Sequence, residues 1–171
     1  MVKVIIMVGL PGSGKSSEAV RIQEEENDDL IIVNKDALRT GINGGVYVFD
    51  KEKEGLIHSF TESMIVQSLL SGRGVIVDET NILKQRRKKI IDTVRRVSPE
   101  IKIEYIWCNE NYNCLKYRMR DPRGISELKW KEVIDGMRDR FECPDEKEAE
   151  EFGVKLRIKP MFNPLYSDEV N

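Results

Sequence analysis

Val2-Lys3-Val4-Ile5-Ile6-Met7-Val8-Gly9-Leu10-Pro11-Gly12-Ser13-Gly14-Lys15-Ser16-Ser17 is the stretch that decides the fold. Val2 to Val8 is an apolar, largely β-branched run, and it predicts a strand buried on both faces. Residues 9–16 then match G-x-x-x-x-G-K-[ST] in full, and Lys15 to about Glu26 reads as a helix. A strand, a glycine turn and a helix in that order form the context in which this motif binds phosphate. The glycines let the backbone curl until successive amide N–H groups converge on phosphate oxygens, and the helix N-terminus adds its dipole. Lys15 is placed to reach the β- and γ-phosphates, and the Ser16 hydroxyl to ligate Mg2+. Gly12, Ser13, Gly14, Lys15, Ser16 and Ser17 are therefore expected to bind ATP or another nucleoside triphosphate.

Outward from this stretch, short apolar runs alternate with helical patterns. Strands are expected at Leu30–Val33, at Val75–Val77 and at Ile101–Trp107, with a fifth at Val154–Ile158. Between them, Leu56, Phe60, Met64 and Leu69 recur at helical spacing, as do Ile90, Ile91, Val94 and Val97. Trp130, Val133, Ile134, Met137 and Phe141 form a third stripe, with Ser126 as its N-cap. Such alternation predicts an α/β fold: an open parallel sheet of about five strands with helices on both faces. The 171 residues suit a single domain, 1–171, with a core large enough to need no disulfide or metal. Gly41 to Asp50 and Arg120 to Ser126 lack a helical period and are expected as loops, the second as part of a lid near 118–126.

Twenty-eight Lys+Arg stand against 30 Asp+Glu, so the chain as a whole is no basic nucleic-acid coat, though a local basic site is compatible with it. Three cysteines, Cys108, Cys114 and Cys143, with one histidine, His58, do not make a zinc site. Reduced, mostly buried thiols in a cytoplasmic protein are expected, with no membrane span, since no apolar run approaches the roughly 20 residues one requires.

Phosphate binding leaves a kinase, a switch and a motor open. Asn34-Lys35-Asp36 resembles the guanine-reading Asn-Lys-x-Asp, but Asp follows Lys directly and Ala37 carries no carboxylate. Ligands of an open parallel sheet sit at the C-terminal ends of its strands. Asp36 and Arg39, just past the second strand, belong on that rim, where a carboxylate can take a proton from an attacking hydroxyl and an arginine can hold an anionic ligand. Asp36 reads equally well as a helix cap. The third strand runs into Asp78-Glu79-Thr80-Asn81, where a magnesium-linked acid is expected.

The cradle, Asn34-Lys35-Asp36-x-x-Arg39 and Asp78-Glu79-Thr80-Asn81 followed by Arg86-Arg87 together resemble the P-loop 5′-OH polynucleotide kinase family, which includes the kinase domain of the T-even bacteriophage enzymes. The order and approximate spacing agree to about Gly124. The resemblance implies ATP-dependent phosphorylation of 5′-OH ends of DNA or RNA. It implies that Asp36 activates the hydroxyl, that Arg39 engages the acceptor's 3′-phosphate side, and that a lid arginine contacts the donor. Arg123, with Arg120 as competitor, fits that lid position, and either Asp78 or Glu79 fits the metal-linked acid. Lys35 stands where the family has Arg. The family's phosphatase motif, Asp-x-Asp-Gly-Thr, is missing, so a kinase without a phosphatase half is expected.

Seven of the thirteen residues from Lys84 to Arg96 are basic. They read as a phosphate track or as the solvated face of a helix, with Arg86 and Arg87 the members expected to reach a ligand. Tyr47 and Phe49 read as base-stacking groups or as a plug beneath their loop. His58 reads as a surface or packing residue, and Glu142 to Glu151 as an acidic stretch after a helix broken at Pro144.

Overall fold

The computed structural model describes residues 2–26, 29–109 and 125–159. Five strands form one sheet: β1 Lys3–Val8, β2 Leu30–Val33, β3 Gly74–Val77, β4 Lys102–Cys108 and β5 Lys155–Lys159. Their order is β2-β3-β1-β4-β5 and every pairing is parallel. Six helices lie among the described residues: α1 Lys15–Glu25, α2 Lys35–Ile42, α3 Glu54–Leu70, α4 Lys84–Val97, α5 Glu127–Arg138 and α6 Glu146–Phe152. This is the expected α/β architecture. No helix among the described residues is long and apolar enough to cross a membrane.

β1 lies at the middle of the sheet, and Val4 to Val8 have no solvent exposure. Its side chains alternate between two cores. Val4, Ile6 and Val8 join Ile65 and Leu69 of α3 and Ile91 and Val94 of α4 on one face. Ile5 and Met7 join Ala19 and Ile22 of α1 on the other. From β1 the chain goes first to the β2 edge and returns through β3, then continues on the opposite side with β4. The C-terminal ends of β1, β2 and β3 thus share one rim, which carries the glycine loop, Asn34 and Asp78.

Several expectations change. α3 buries Ile57, Thr61, Ile65 and Leu69, while Leu56 and Phe60 face outward. Thr61 hid this stripe in the sequence, because a polar residue looked unfit for the core. Its hydroxyl donates to Ile57 O at 2.8 Å, so its burial leaves no unmet hydrogen bond. The cap of α2 is Asn34, whose side chain accepts from Ala37 N, and not Asp36. Residues 41 and 42 continue α2, so only 43–50 form the expected loop. The acidic stretch folds partly into α6, capped by Asp145, whose side chain accepts from Glu148 N. Ser126 caps α5 as expected. Cys108 is buried but Cys143 is exposed, and Cys114 lies outside the described residues.

Arg87 departs furthest from expectation: it is fully buried. Its Nε and Nη2 donate to the two carboxylate oxygens of Glu148 at 2.7 and 2.6 Å, and Nη1 donates to Asn81 O at 2.8 Å. The guanidinium also lies over the Tyr105 ring, 5.8 Å from its centre. One side chain therefore joins α4, α6, β4 and the loop after β3, and it cannot reach a ligand. Removing one partner of such a pair strands the other charge. Arg87→Met should cost roughly 3–5 kcal/mol in urea unfolding, and adding Glu148→Leu should recover part of that loss. Additive losses in the double variant would show that the two groups are not coupled.

Candidate functional site

The loop between β1 and α1 has the shape that its glycines dictate. Gly9 has φ +148°, and a Cβ there would stand 2.5 Å from Cys108 O and 2.7 Å from Ser13 Oγ, so only glycine fits. Gly14, in the left-handed region at φ 87°, is the N-cap of α1 and supplies no side-chain cap. A helix N-terminus without a side-chain cap suits an anion. Lys15 is buried, and its Nζ donates to Leu10 O at 2.7 Å and Ser13 Oγ at 3.4 Å, across the loop it follows. The loop after β3 braces this cradle from the side. Gly9 N donates to Thr80 O at 2.9 Å, and Asn81 Nδ2 donates to Met7 O at 2.8 Å.

Asp78 and Glu79 diverge. Asp78 is 5% exposed, and Asn34 Nδ2 donates to its Oδ2 at 2.8 Å and to its backbone O at 3.0 Å. Burial pushes the Cys108 thiol up; the charge of Lys15 opposes this and that of Asp78 adds to it, so both groups lie within electrostatic range of one buried sulfur. Glu79 turns the other way, onto Lys35 at 2.9 Å. Its Oε1 is buried without a hydrogen-bond partner. Burial pushes the Glu79 carboxyl above the usual range, with Lys35 opposing. A magnesium ion shared with substrate phosphates needs only one or two protein oxygens, and an ionised carboxylate suits it best. The Ser16 hydroxyl and the Asp78 carboxylate fit that requirement; Glu79, already paired with Lys35, fits it less well.

α2 carries the other candidates. Arg39 Nη1 donates to Asp36 Oδ1 at 2.6 Å, while Nε and Nη2 donate to Glu54 Oε1 and Oε2, both at 2.8 Å. The paired hydrogen bonds that Arg39 donates to Glu54 hold the guanidinium charged well above its ordinary range. Phe49 packs under the guanidinium, 5.5 Å to the ring centre, and is 58% exposed, so it is not a plug beneath its loop. The Asp36 side chain is 41% exposed.

Beside Lys35 and Arg39 opens a cavity of about 250 Å³, walled by α2, α3, α4 and residues 79–83. His58 and Arg86 lie on its wall, the Arg86 guanidinium donating to His58 Nε2. Glu54 and His58 were not legible as site residues, because neither falls in a motif; only their position on α3 brings them here. Arg118, Arg120 and Arg123 lie outside the described residues.

Comparison with known proteins agrees with this reading. Residues 4–144 match the family described as AAA domain, and the chain belongs to that family. Its fold is that of P-loop kinases. It superposes on a chain of the Pnkp1/Rnl/Hen1 complex at TM-score 0.58 and 26% identity, covering 71% of this chain and 40% of that one. A second structure, of the Pnkp1/Rnl/Hen1 RNA repair complex, gives 0.64 and 22%, covering 82% and 46%. This chain thus spans less than half the length of those relatives. A gluconokinase from Sinorhizobium meliloti 1021 superposes at TM-score 0.57 and 18% identity, covering 95% of this chain and 85% of that one.

Burial pushes the His58 pKa down from its ordinary value of 6.5, and Lys35, Arg86 and Lys89 push it further, against Glu54. For a base with a depressed folded pKa, the neutral form is favoured by folding. Its stabilising contribution is full above the unfolded pKa and is lost as pH falls through the folded one. His58 is the one histidine of the chain, so a single imidazole NMR signal reports it. Its titration midpoint should lie below 6.5 and rise in Arg86→Ala. A midpoint at or above 6.5 would contradict the burial of His58 and the cations around it.

Proposed function

We propose that this AAA-domain chain is a phosphotransferase that moves the γ-phosphoryl group of ATP to the 5′-hydroxyl of DNA or RNA. The observation that carries the reading is the double use of Asn34, which orients Asp78 through Nδ2 and caps α2 through Oδ1. The donor's phosphates and the acceptor's hydroxyl would meet across that side chain. The sequence pattern shared with 5′-OH polynucleotide kinases and the likeness to a chain of an RNA repair complex support the acceptor class.

In this mechanism Lys15 leaves its contacts on Leu10 and Ser13 for the transferring phosphate, and the amides of residues 12–17 cradle the rest. Ser16 and Asp78 would hold magnesium, which when bound neutralises charge on the donor's phosphates. Asp36 accepts the proton of the attacking 5′-hydroxyl as the new O–P bond forms and the bond to the β-phosphate oxygen breaks, releasing ADP. Arg39 pairs with the acceptor's 3′-phosphate, its plane fixed by Glu54. Arg123, or Arg120 in its place, meets the developing charge from the lid. A second reading, a small-metabolite kinase, is favoured by the cavity of about 250 Å³, which suits one small molecule, and by the gluconokinase likeness.

Labelled-ATP transfer to 5′-OH oligonucleotides, nucleoside 3′-phosphates and sugars separates the two; transfer to sugars alone would overturn the first. Lys15→Ala should lower turnover on the order of 10²–10³. Asp36→Asn should lower transfer by roughly 10²–10⁴ with ATP binding kept. Arg39→Ala should chiefly raise the KM of acceptors that carry a 3′-phosphate. Equal wild-type activity on acceptors with and without that phosphate would count against a polynucleotide site.

A further inference from the structure

The cavity beside Arg39 is lined by one cation, Arg86, that no carboxylate answers among the described residues. Lys35, Arg39, Arg86 and Lys89 line it against Glu54, Glu62 and Glu79. Each of those carboxylates already answers a cation, Glu79 through one oxygen only. Glu54 takes both hydrogen bonds from Arg39, Glu79 pairs with Lys35, and Glu62 accepts from Arg96 Nη2 at 2.6 Å and Thr93 Oγ at 3.2 Å. Lys89 reaches Glu62 only at 4.0 Å. Among the described residues Arg86 has no carboxylate within ion-pair distance; its guanidinium rests on His58 Nε2. A guanidinium that donates to a neutral imidazole is a poorly matched pair, since Arg favours a planar oxyanion. Arg86 belongs to the first turn of α4, whose first N–H, Lys84 N, already donates to the Glu142 carboxylate, so the charge at this wall is that of the Arg86 side chain rather than of the helix end.

We propose that this cavity is a second anion subsite, in which Arg86, His58 and Lys89 take the acceptor strand's next phosphate beyond the one held by Arg39. That the anion is a strand phosphate rests on the polynucleotide reading above; the anion site itself rests on Arg86, which faces the cavity beside His58 and Lys89 with no carboxylate partner among the described residues. When the anion binds, Arg86 turns from His58 to the phosphate oxygens. His58 then takes a proton and becomes a donor in its turn, facing Lys35, Arg86 and Lys89 as cations and Glu54, Glu62 and Glu79 as carboxylates. A single nucleoside 3′-phosphate fills only the first subsite, and a dinucleotide ending in a 3′-phosphate fills both.

The test combines calorimetric binding with the His58 NMR signal, neither of which requires turnover. The dinucleotide 3′-phosphate should bind, move the His58 resonance and raise its titration midpoint. Arg86→Ala should weaken that binding about tenfold, a charge-assisted contact at the low end of its range, and weaken the nucleoside 3′-phosphate much less. Lys89→Ala should act in the same direction more weakly. Arg86 and Lys89 are exposed, so these variants should fold. Dinucleotide binding that leaves His58 unmoved, or equal losses on both ligands in Arg86→Ala, would overturn the subsite. Should the dinucleotide fail to bind, the polynucleotide reading fails, and titration with inorganic pyrophosphate decides the rest. A His58 shift abolished by Arg86→Ala keeps the anion site, and no shift overturns it.

Discussion

The carboxamide of Asn34 is the constraint on which the rim of the sheet depends. It stands between the ends of β2 and β3, and it needs both of its faces. Oδ1 accepts from Ala37 N, so it starts α2 and fixes where Asp36 and Arg39 emerge. Nδ2 donates to Asp78, so it fixes the acid that follows β3. Aspartate would also cap a helix, but it would set a carboxylate against Asp78 in a buried place. Serine could cap as well, yet it lacks the reach and the second donor. A residue that caps and donates at once is nearly restricted to asparagine, which makes the spacing Asn-Lys-Asp-x-x-Arg a physical unit rather than a run of separate signals.

Around this unit the positioning is done by ion pairs between elements, not within them. Arg39 and Glu54 join α2 to α3, Lys35 and Glu79 join α2 to the loop after β3, and Arg87 and Glu148 join α4 to α6. Exposed pairs within one helix, such as Lys88–Asp92, contribute little. The difference is burial: a charge withdrawn from water must keep its partner, so a buried or half-buried pair holds a definite geometry, whereas an exposed one can be exchanged for solvent. The acceptor side is therefore shaped by residues far apart in the chain.

That separation explains what the sequence reveals and what it conceals. The cradle was legible because its motif is contiguous and its flanks are a strand and a helix. The parallel sheet was legible because four of its strands are short apolar runs separated by helices. Asp78 was legible as a rim residue because it directly follows β3, and Asp36 and Arg39 because they lie within a few residues of the end of β2. Glu54 and His58 were not, since nothing near them in sequence marks a site, and only the docking of α3 against α2 and α4 brings them in. The buried face of α3 was misread because Leu56 and Phe60 share the spacing of Ile57 and Thr61, and periodicity cannot choose between faces one residue apart. The arginine pair after Asn81 was seen as one feature, although adjacent helical residues point in different directions.

Arg86 and Arg87 turn that difference into a mechanical link. Arg87 is locked by Glu148 and by Asn81 O, so the start of α4 cannot shift relative to residue 81 without breaking a buried hydrogen bond. Residue 81 in turn donates to Met7 O, and residue 80 accepts from Gly9 N at the mouth of the cradle. Residue 79 holds Lys35 at the start of α2. The three residues from 79 to 81 thus tie the glycine loop, α2 and α4 to one short segment, each through a different atom. A buried core transmits displacement because it is close-packed. The cradle, α2 and the start of α4 are therefore held in one fixed relation through this segment, with the buried Arg87 securing the α4 end.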